Sequence, residues 1–320
     1  MTDRLGPPLA APVFERVAII GVGLIGSSIA RAARRKAAAR FIAIADIAEE
    51  ARERAAALKL GDAVVASAAE AAAGADLVML CAPVGADEAL AREIGPALKQ
   101  GAIVSDVGSV KGAVITAVAP HLPEGAQLVP GHPVAGTELS GPDAGFATLF
   151  VNRWCVLTPP EGTDSAAVER VRGLWEAFGA HVETMDAARH DLVLAITSHV
   201  PHLIAYNIVG TAYDLEESTR GEVIKFSAGG FRDFTRIAAS DPTMWRDVFL
   251  NNKDAVLEAL GRFTEDLTAL QRMIRRGDGD GLFELFTRTR AIRRGIVEQG
   301  QETAAPDFGR EHADDGNGGT

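Results

Sequence analysis

The chain has 320 residues, 47% of them hydrophobic and 23% charged, with a net charge of −11. That composition describes a globular protein with room for two domains of ordinary size. It carries no basic stripe, which argues against nucleic acid or an anionic membrane as a partner.

Residues 1–14 are Pro-rich and predict a loose N-terminus, with no signal-peptide core. The run from Arg16 to Ile20 has the length and β-branched content of a buried strand. It leads into Gly21, Gly23 and Gly26, a G-x-G-x-x-G spacing, and then an apolar-periodic helix from Leu24. In this context Gly21 permits the tight turn, Gly23 lets a pyrophosphate approach the backbone, and Gly26 lets helix and strand pack closely. Leu24 and Ile25 open the helix whose free N–H groups face the phosphates. A second apolar run, Phe41–Ala45, ends at Asp46, twenty residues past Gly26. A carboxylate there hydrogen-bonds a ribose 2′-hydroxyl and repels a 2′-phosphate, so NAD is expected over NADP.

Further strands are predicted near Val64–Val65, Leu77–Ala82 and Ala102–Val107, with a helix over about 48–59. Strands alternating with helices imply βαβ units and a parallel sheet. Gln127–Pro130, Trp154–Leu157 and His181–Thr184 read as strands added to the same domain. After about Met185 no strand pattern recurs. Residues 186–211 are apolar nearly all round and predict a helix buried on most faces. A second long helix is predicted from Asp241 and Pro242, an N-cap acid followed by Pro at N1. Along it Phe249, Val256, Leu260, Phe263, Leu267, Leu270 and Ile274 form a coiled-coil-like seam. Residues 277–281, GDGDG, read as a turn before a last helix, since the ligands of a calcium loop are missing. The expected organisation is a loose segment 1–14, an α/β dinucleotide-binding domain 15–185, an all-helical domain 186–300 and a disordered acidic tail 301–320. Cys81 and Cys155 sit in apolar runs and read as buried thiols of a reducing cytoplasm. With no run of 18 apolar residues, a soluble cytoplasmic protein is expected.

Four stretches carry chemistry. SDVGSVK at 105–111 places Ser109 and Lys111 just past a strand, on the cofactor side of a parallel sheet. GHPVAGTELSG at 131–141 holds His132 between Gly131 and Pro133, a restricted backbone suited to a positioned proton acceptor. SHVPH at 198–202 puts His199 and His202 on an apolar helix, with Pro201 predicting a kink. No carboxylate or cysteine completes a metal set around them, so no metal is expected. GGFRDFTRIAASDPTMW at 229–245 sets Arg232 and Arg236 a helical turn apart, with Asp233 spaced to pair with Arg236. Arginine suits bidentate carboxylate binding, and the surrounding aromatic residues suggest a walled pocket.

In chain order, GVGLIGSS, SDVGSVK, GHPVAGTELSG, SHVPH and GGFRDFTRIAASDPTMWRD resemble the prephenate/arogenate dehydrogenase family of tyrosine biosynthesis, over roughly residues 16–300. The resemblance implies a Rossmann-type domain followed by an all-α dimerisation domain, a homodimer, NAD as cofactor, and prephenate or arogenate as the small-molecule substrate. It implies that His132, helped by Ser109, accepts a hydrogen bond from the substrate's ring hydroxyl. Arg236 would bind the ring carboxylate. His202, Gly229 and Trp245 would line the side-chain end, and Glu138 and Asp233 would belong to an ionic network around Arg236. The implied reaction is NAD-dependent oxidative decarboxylation, with an acid limb within about a unit of pH 6.5 from His132. Two rivals remain at this level. A β-hydroxyacid dehydrogenase would need a catalytic lysine in the long helix, and no lysine occurs between Gly112 and Arg220. A non-catalytic NAD-binding sensor would need no pairing of His132 with Arg236.

Overall fold

The structure, a computed structural model, describes residues 5–137, 139–219 and 229–296. The predicted alternation produces β1 (Phe14–Ile20), α1 (Leu24–Lys36), β2 (Ala39–Ala45), α2 (Glu49–Ala57), β3 (Ala63–Val65), α3 (Ala68–Ala72), β4 (Leu77–Leu80), α4 (Asp87–Ile94), β5 (Ile103–Asp106), α5 (Gly112–Val118) and β6 (Gln127–Leu128). The strands form one parallel sheet in the order β3-β2-β1-β4-β5-β6. That is the Rossmann order, and it leaves a crevice at the carboxyl ends of β1 and β4, where the strand order reverses. Each strand feeds two cores. Val17, Ile19, Ile42, Ile44, Leu77 and Met79 enter one, while Ala18, Ile20, Ala43, Ala45, Val78 and Leu80 enter the other. Burial on both faces is why these strands read as unbroken apolar runs.

Three strands depart from the expected plan. Gly131–Pro133 is itself a strand, β7, and pairs antiparallel with β8 (Trp154–Leu157). With β9 (His181–Thr184), which runs parallel to β8 beyond α6 (Ser165–Ala177), it forms a separate three-stranded sheet rather than extending the first. The N-terminus also differs, because residues from Leu5 onward are not loose. The Lys36 amine, buried at the end of α1, donates to the carbonyls of Leu5 (2.8 Å) and Pro7 (2.6 Å), and Leu9 N–H donates to Lys36 O at 2.8 Å. A buried ammonium needs acceptors, and this segment supplies them.

The helices that follow are α7 (Ala187–Leu194), α8 (Val200–Thr219), α9 (Gly229–Thr235), α10 (Pro242–Asn251), α11 (Lys253–Arg276) and α12 (Gly279–Ile296). Between α7 and α8, Ala195–His199 forms a π-helical turn. Pro201 has no N–H to offer the preceding turn, so the expected kink takes this form. The helix predicted to run on from Asp241 is split at Asn252, whose side chain turns inward to bind the segment around Asp191 and His199. The predicted burial of 186–211 is also incomplete: Leu192, Val193, Ile196 and Ile208 are 39–57% exposed. Residues 187–214 are long and apolar enough to cross a membrane by length and composition alone, with a mean hydropathy of 1.5 over an 18-residue stretch. Compact packing extends past Met185 to Ala259, because α10 packs on the turn after β4 and α7 on α5. A second unit starts at Leu260 and holds the rest of α11 and α12.

Candidate functional site

The crevice is built from the ends of β1, β4 and β5. Gly21 leaves β1 at φ +97°, a conformation that L side chains rarely adopt, and a Cβ there would lie 2.7 Å from the Cys81 carbonyl oxygen at the end of β4. A Cβ on Gly26 would meet the Gly21 oxygen at 2.1 Å, whereas at Gly23 it would meet nothing within 4 Å. Two glycines are therefore dictated by backbone packing, and the third faces open space. Gly23 caps α1 with no side-chain hydrogen bond, which leaves the first-turn N–H groups of Leu24 and Ile25 to a ligand. Asp46 lies beside this loop, accepting from Val22 N–H (2.8 Å) and Ala48 N–H (2.9 Å). This cradle fits the pyrophosphate and ribose of a dinucleotide, as the spacing predicts. Burial pushes the thiols of Cys81 and Cys155 up, so both are inert at neutral pH.

Past β5 the chain forms a buried ionic knot. The Lys111 ammonium, fully buried, pairs with the Asp106 carboxylate and donates to Gly131 O at 2.8 Å. Asp106 also accepts from Gly108 N–H (2.7 Å) and Gly131 N–H (3.1 Å). The knot joins β5 to β7 and fixes the backbone on which His132 stands. Ser109 sits on the loop between Asp106 and Lys111 and is partly buried.

His132 is 6% exposed, and its Nδ1 lies 2.9 Å from Nε2 of His190. His190 is fully buried on α7 and directs its own Nδ1 at Asp191 Oδ1, 2.8 Å away. Asp191 in turn accepts from the backbone N–H groups of Lys111 (2.7 Å) and Gly112 (2.9 Å). Burial opposes the charge on Asp191, but the His190 ring and the two backbone donors outweigh it and hold the carboxyl below its ordinary value. Burial, with His190, Lys111 and His199 nearby, pushes His132 well below the ordinary imidazole value. The acid limb expected near pH 6.5 therefore moves lower, because a buried ring beside a cation resists a second positive charge.

His199 is also fully buried, and burial is the first cause that lowers its pKa to about 4. Its Nδ1 faces the Asn252 amide at 3.0 Å, and that amide also donates to Asp191 O at 2.8 Å. His202 donates from Nδ1 to Ser198 O (2.9 Å), and its ring stacks on Trp245 with centroids 3.7 Å apart. Burial lowers the pKa of His202, and the Arg236 charge lowers it further. Trp245 itself packs with Val110 and Val248, and its buried indole N–H has no hydrogen-bond partner among the described residues. Arg236 opens the short turn that follows α9, a turn tied to α8 by the Tyr206 hydroxyl donating to Ser240 O at 2.7 Å.

The structure thus gathers His132, Ser109, His202 and Trp245 around the loop after β5, through the Lys111–Gly131 bond and the Val110–Trp245 and His202–Trp245 contacts, and Arg236 lies in the same compact unit. Gly229 lies exposed at the head of α9. Asp233 is exposed and forms a 3.5 Å pair with Arg232. Glu138 lies outside the described residues. Sequence reasoning missed His190, Asp191 and Asn252, although a polar His–Asp pair on an apolar helix was the available signal for two of them.

Two family models match the chain: "Prephenate dehydrogenase, nucleotide-binding domain" over residues 29–184 and "Prephenate dehydrogenase, dimerization domain" over residues 186–288. A cyclohexadienyl dehydrogenase of Zymomonas mobilis is 44% identical over 281 residues, covering 88% of this chain and 96% of that one. A prephenate dehydrogenase of Bacillus subtilis is 34% identical over 301 residues, covering 92% and 79% respectively. Among solved structures, prephenate dehydrogenase from A. aeolicus in complex with hydroxyphenyl propionate and NAD+ is similar, with a TM-score of 0.82 and 35% identity, covering 88% of this chain and 98% of that one. Synechocystis arogenate dehydrogenase is also similar, with a TM-score of 0.74 and 26% identity over 88% and 99% of the two chains.

Proposed function

The chain belongs to the prephenate dehydrogenase family, and on that premise we propose that it catalyses the NAD-dependent oxidative decarboxylation of prephenate to 4-hydroxyphenylpyruvate in tyrosine biosynthesis. The observation that carries this reading is a buried, neutral His132 held to the loop after β5, with the His202–Trp245 stack and Arg236 in the same compact unit. Gly21, Gly23, Leu24, Ile25, Gly26 and Asp46 hold the dinucleotide. When bound, NAD+ supplies a hydride acceptor for the carbon bearing the ring hydroxyl. His132 takes the hydroxyl proton, and the developing carbonyl becomes the electron sink for loss of the ring carboxylate. Ser109 helps orient the hydroxyl. Arg236 holds the ring carboxylate, with Asp233 and Glu138 as its ionic surroundings, and His202, Gly229 and Trp245 line the side-chain end.

Arogenate as a second substrate has its own observation. The Nδ1 proton of His202 is committed to Ser198 O, and the ring stays neutral at pH 7 because its pKa is lowered. Its Nε2 therefore offers a lone pair, which suits the ammonium of arogenate. The test is NADH formation from prephenate and from arogenate, side by side. Turnover of both is expected, with the higher kcat/KM for prephenate; no NADH from either substrate would end the reading.

NADP should be the poorer cofactor, because Asp46 would face its 2′-phosphate. The kcat/KM ratio is expected to favour NAD by about tenfold or more, the cost of one uncompensated charged contact. Equal values would refute the role of Asp46. We also assign the exposed apolar residues of α7 and α8 and of the turn between them to a homodimer interface in a soluble, cytoplasmic enzyme rather than to a membrane. An intramembrane His190–Asp191–His199 set would be costly, whereas here His190 and Asp191 bond each other inside the site and His199 Nδ1 meets Asn252.

A further inference from the structure

His132 does not stand alone. Its Nδ1 meets His190, and His190 meets Asp191, in a chain of 2.9 and 2.8 Å contacts. Proton positions along this chain follow from its end. Asp191 is ionised, and each of its oxygens already accepts a backbone N–H, from Lys111 and Gly112. A carboxylate only accepts, so the His190 Nδ1 facing it carries a proton. In a neutral His190 the other nitrogen, Nε2, is then an acceptor, and the His132 Nδ1 facing it must donate. A cationic His190 would reverse that last assignment. With His190 neutral, each contact of the chain has one donor and one acceptor, and nitrogen-15 shifts of the two rings distinguish this arrangement from the cationic one.

We propose that His190 and Asp191 are positioning residues that hold His132 as its Nδ1–H tautomer, leaving the Nε2 lone pair free for the substrate hydroxyl. The Nε2 of His132 has no hydrogen-bond partner among the described residues, as a proton acceptor awaiting substrate requires. Without this chain, neutral imidazole exchanges between two tautomers, and in one of them Nε2 already bears a proton and cannot act as a base. The same device serves a catalytic histidine wherever an acid–imidazole pair fixes its ring. Asp191 has a second function here: by gripping Lys111 and Gly112 it ties the relay to the loop that bears Ser109.

This inference rests on the reading of His132 as the base, and the test separates the two. Nitrogen-15 NMR of the histidine rings at pH 8, with His132 assigned by comparison with His132→Asn, reads the tautomer directly. A wild-type His132 protonated on Nδ1, and a mixture of tautomers in His190→Leu, are expected. With prephenate and NAD+, His190→Leu should lower kcat by about a hundredfold or more with little change in KM. His190→Gln, whose amide oxygen restores an acceptor for His132, should recover at least about tenfold of that loss. A wild-type His132 protonated on Nε2 would overturn the proposal even if His190→Leu failed to fold, as would a kcat in a folded His190→Leu within about twofold of wild type. If His132→Asn kept its kcat, the base assignment itself would fall, while the spectrum would still decide the tautomer.

Discussion

Replacing His132 by asparagine should lower kcat by about 10²–10⁴-fold and leave KM nearly unchanged, the signature of a general base lost from the transition state. Asparagine keeps size and polarity but cannot take a proton. The pH profile gives an independent sign. The active form is the neutral ring, so activity falls as acid protonates it. Burial first, then the neighbouring His190 ring, Lys111 and His199, disfavour that protonation. The acid limb of kcat/KM attributable to His132 should therefore lie well below pH 6.5, not near it, and should be absent from His132→Asn. Steady-state kinetics over pH 4–9 check both statements. A near-normal kcat in the variant, or an unchanged acid limb, would show that another group takes the proton.

Arg236→Ala should act on binding. A carboxylate is held before the reaction as well as during it, so the loss should appear chiefly in KM, by about ten- to hundredfold for one charge-assisted bidentate contact. The site supplies a second readout. Arg236 contributes to the lowering of His202, so its removal should raise the pKa of that ring. Titration of His202 by NMR in wild type and Arg236→Ala measures this without substrate. A variant with unchanged KM and unchanged His202 titration would remove Arg236 from the pocket.

How much of this was legible in the sequence depends on how local each signal is. The glycine triplet and Asp46 belong to one β1–α1–β2 unit, and their geometry follows from it, down to the open space at Gly23. The strands of the parallel sheet were readable because burial on both faces leaves continuous apolar runs. β7 was not readable: Gly131, His132 and Pro133 have no strand propensity, and only the distant Cys155–Leu157 segment makes them one. His190 was missed for a related reason, since its partner His132 lies 58 residues away. The expected continuous helix from Asp241 failed at Asn252, where a long-range bond to Asp191 outweighs one residue of helix.

The buried Asp106–Lys111–Gly131 knot has one more consequence. It joins the strand that carries the proposed proton acceptor to the sheet that carries the glycine loop, so the parts that would touch every substrate alike share one frame. The groups we propose to judge the substrate, Arg236, His202 and Trp245, arrive instead on the turn after α9 and on α8 and α10. Redesign of the enzyme towards another cyclohexadienyl acid can therefore confine itself to those helices and that turn. Variation there changes which molecule is chosen while the apparatus of oxidation is inherited intact.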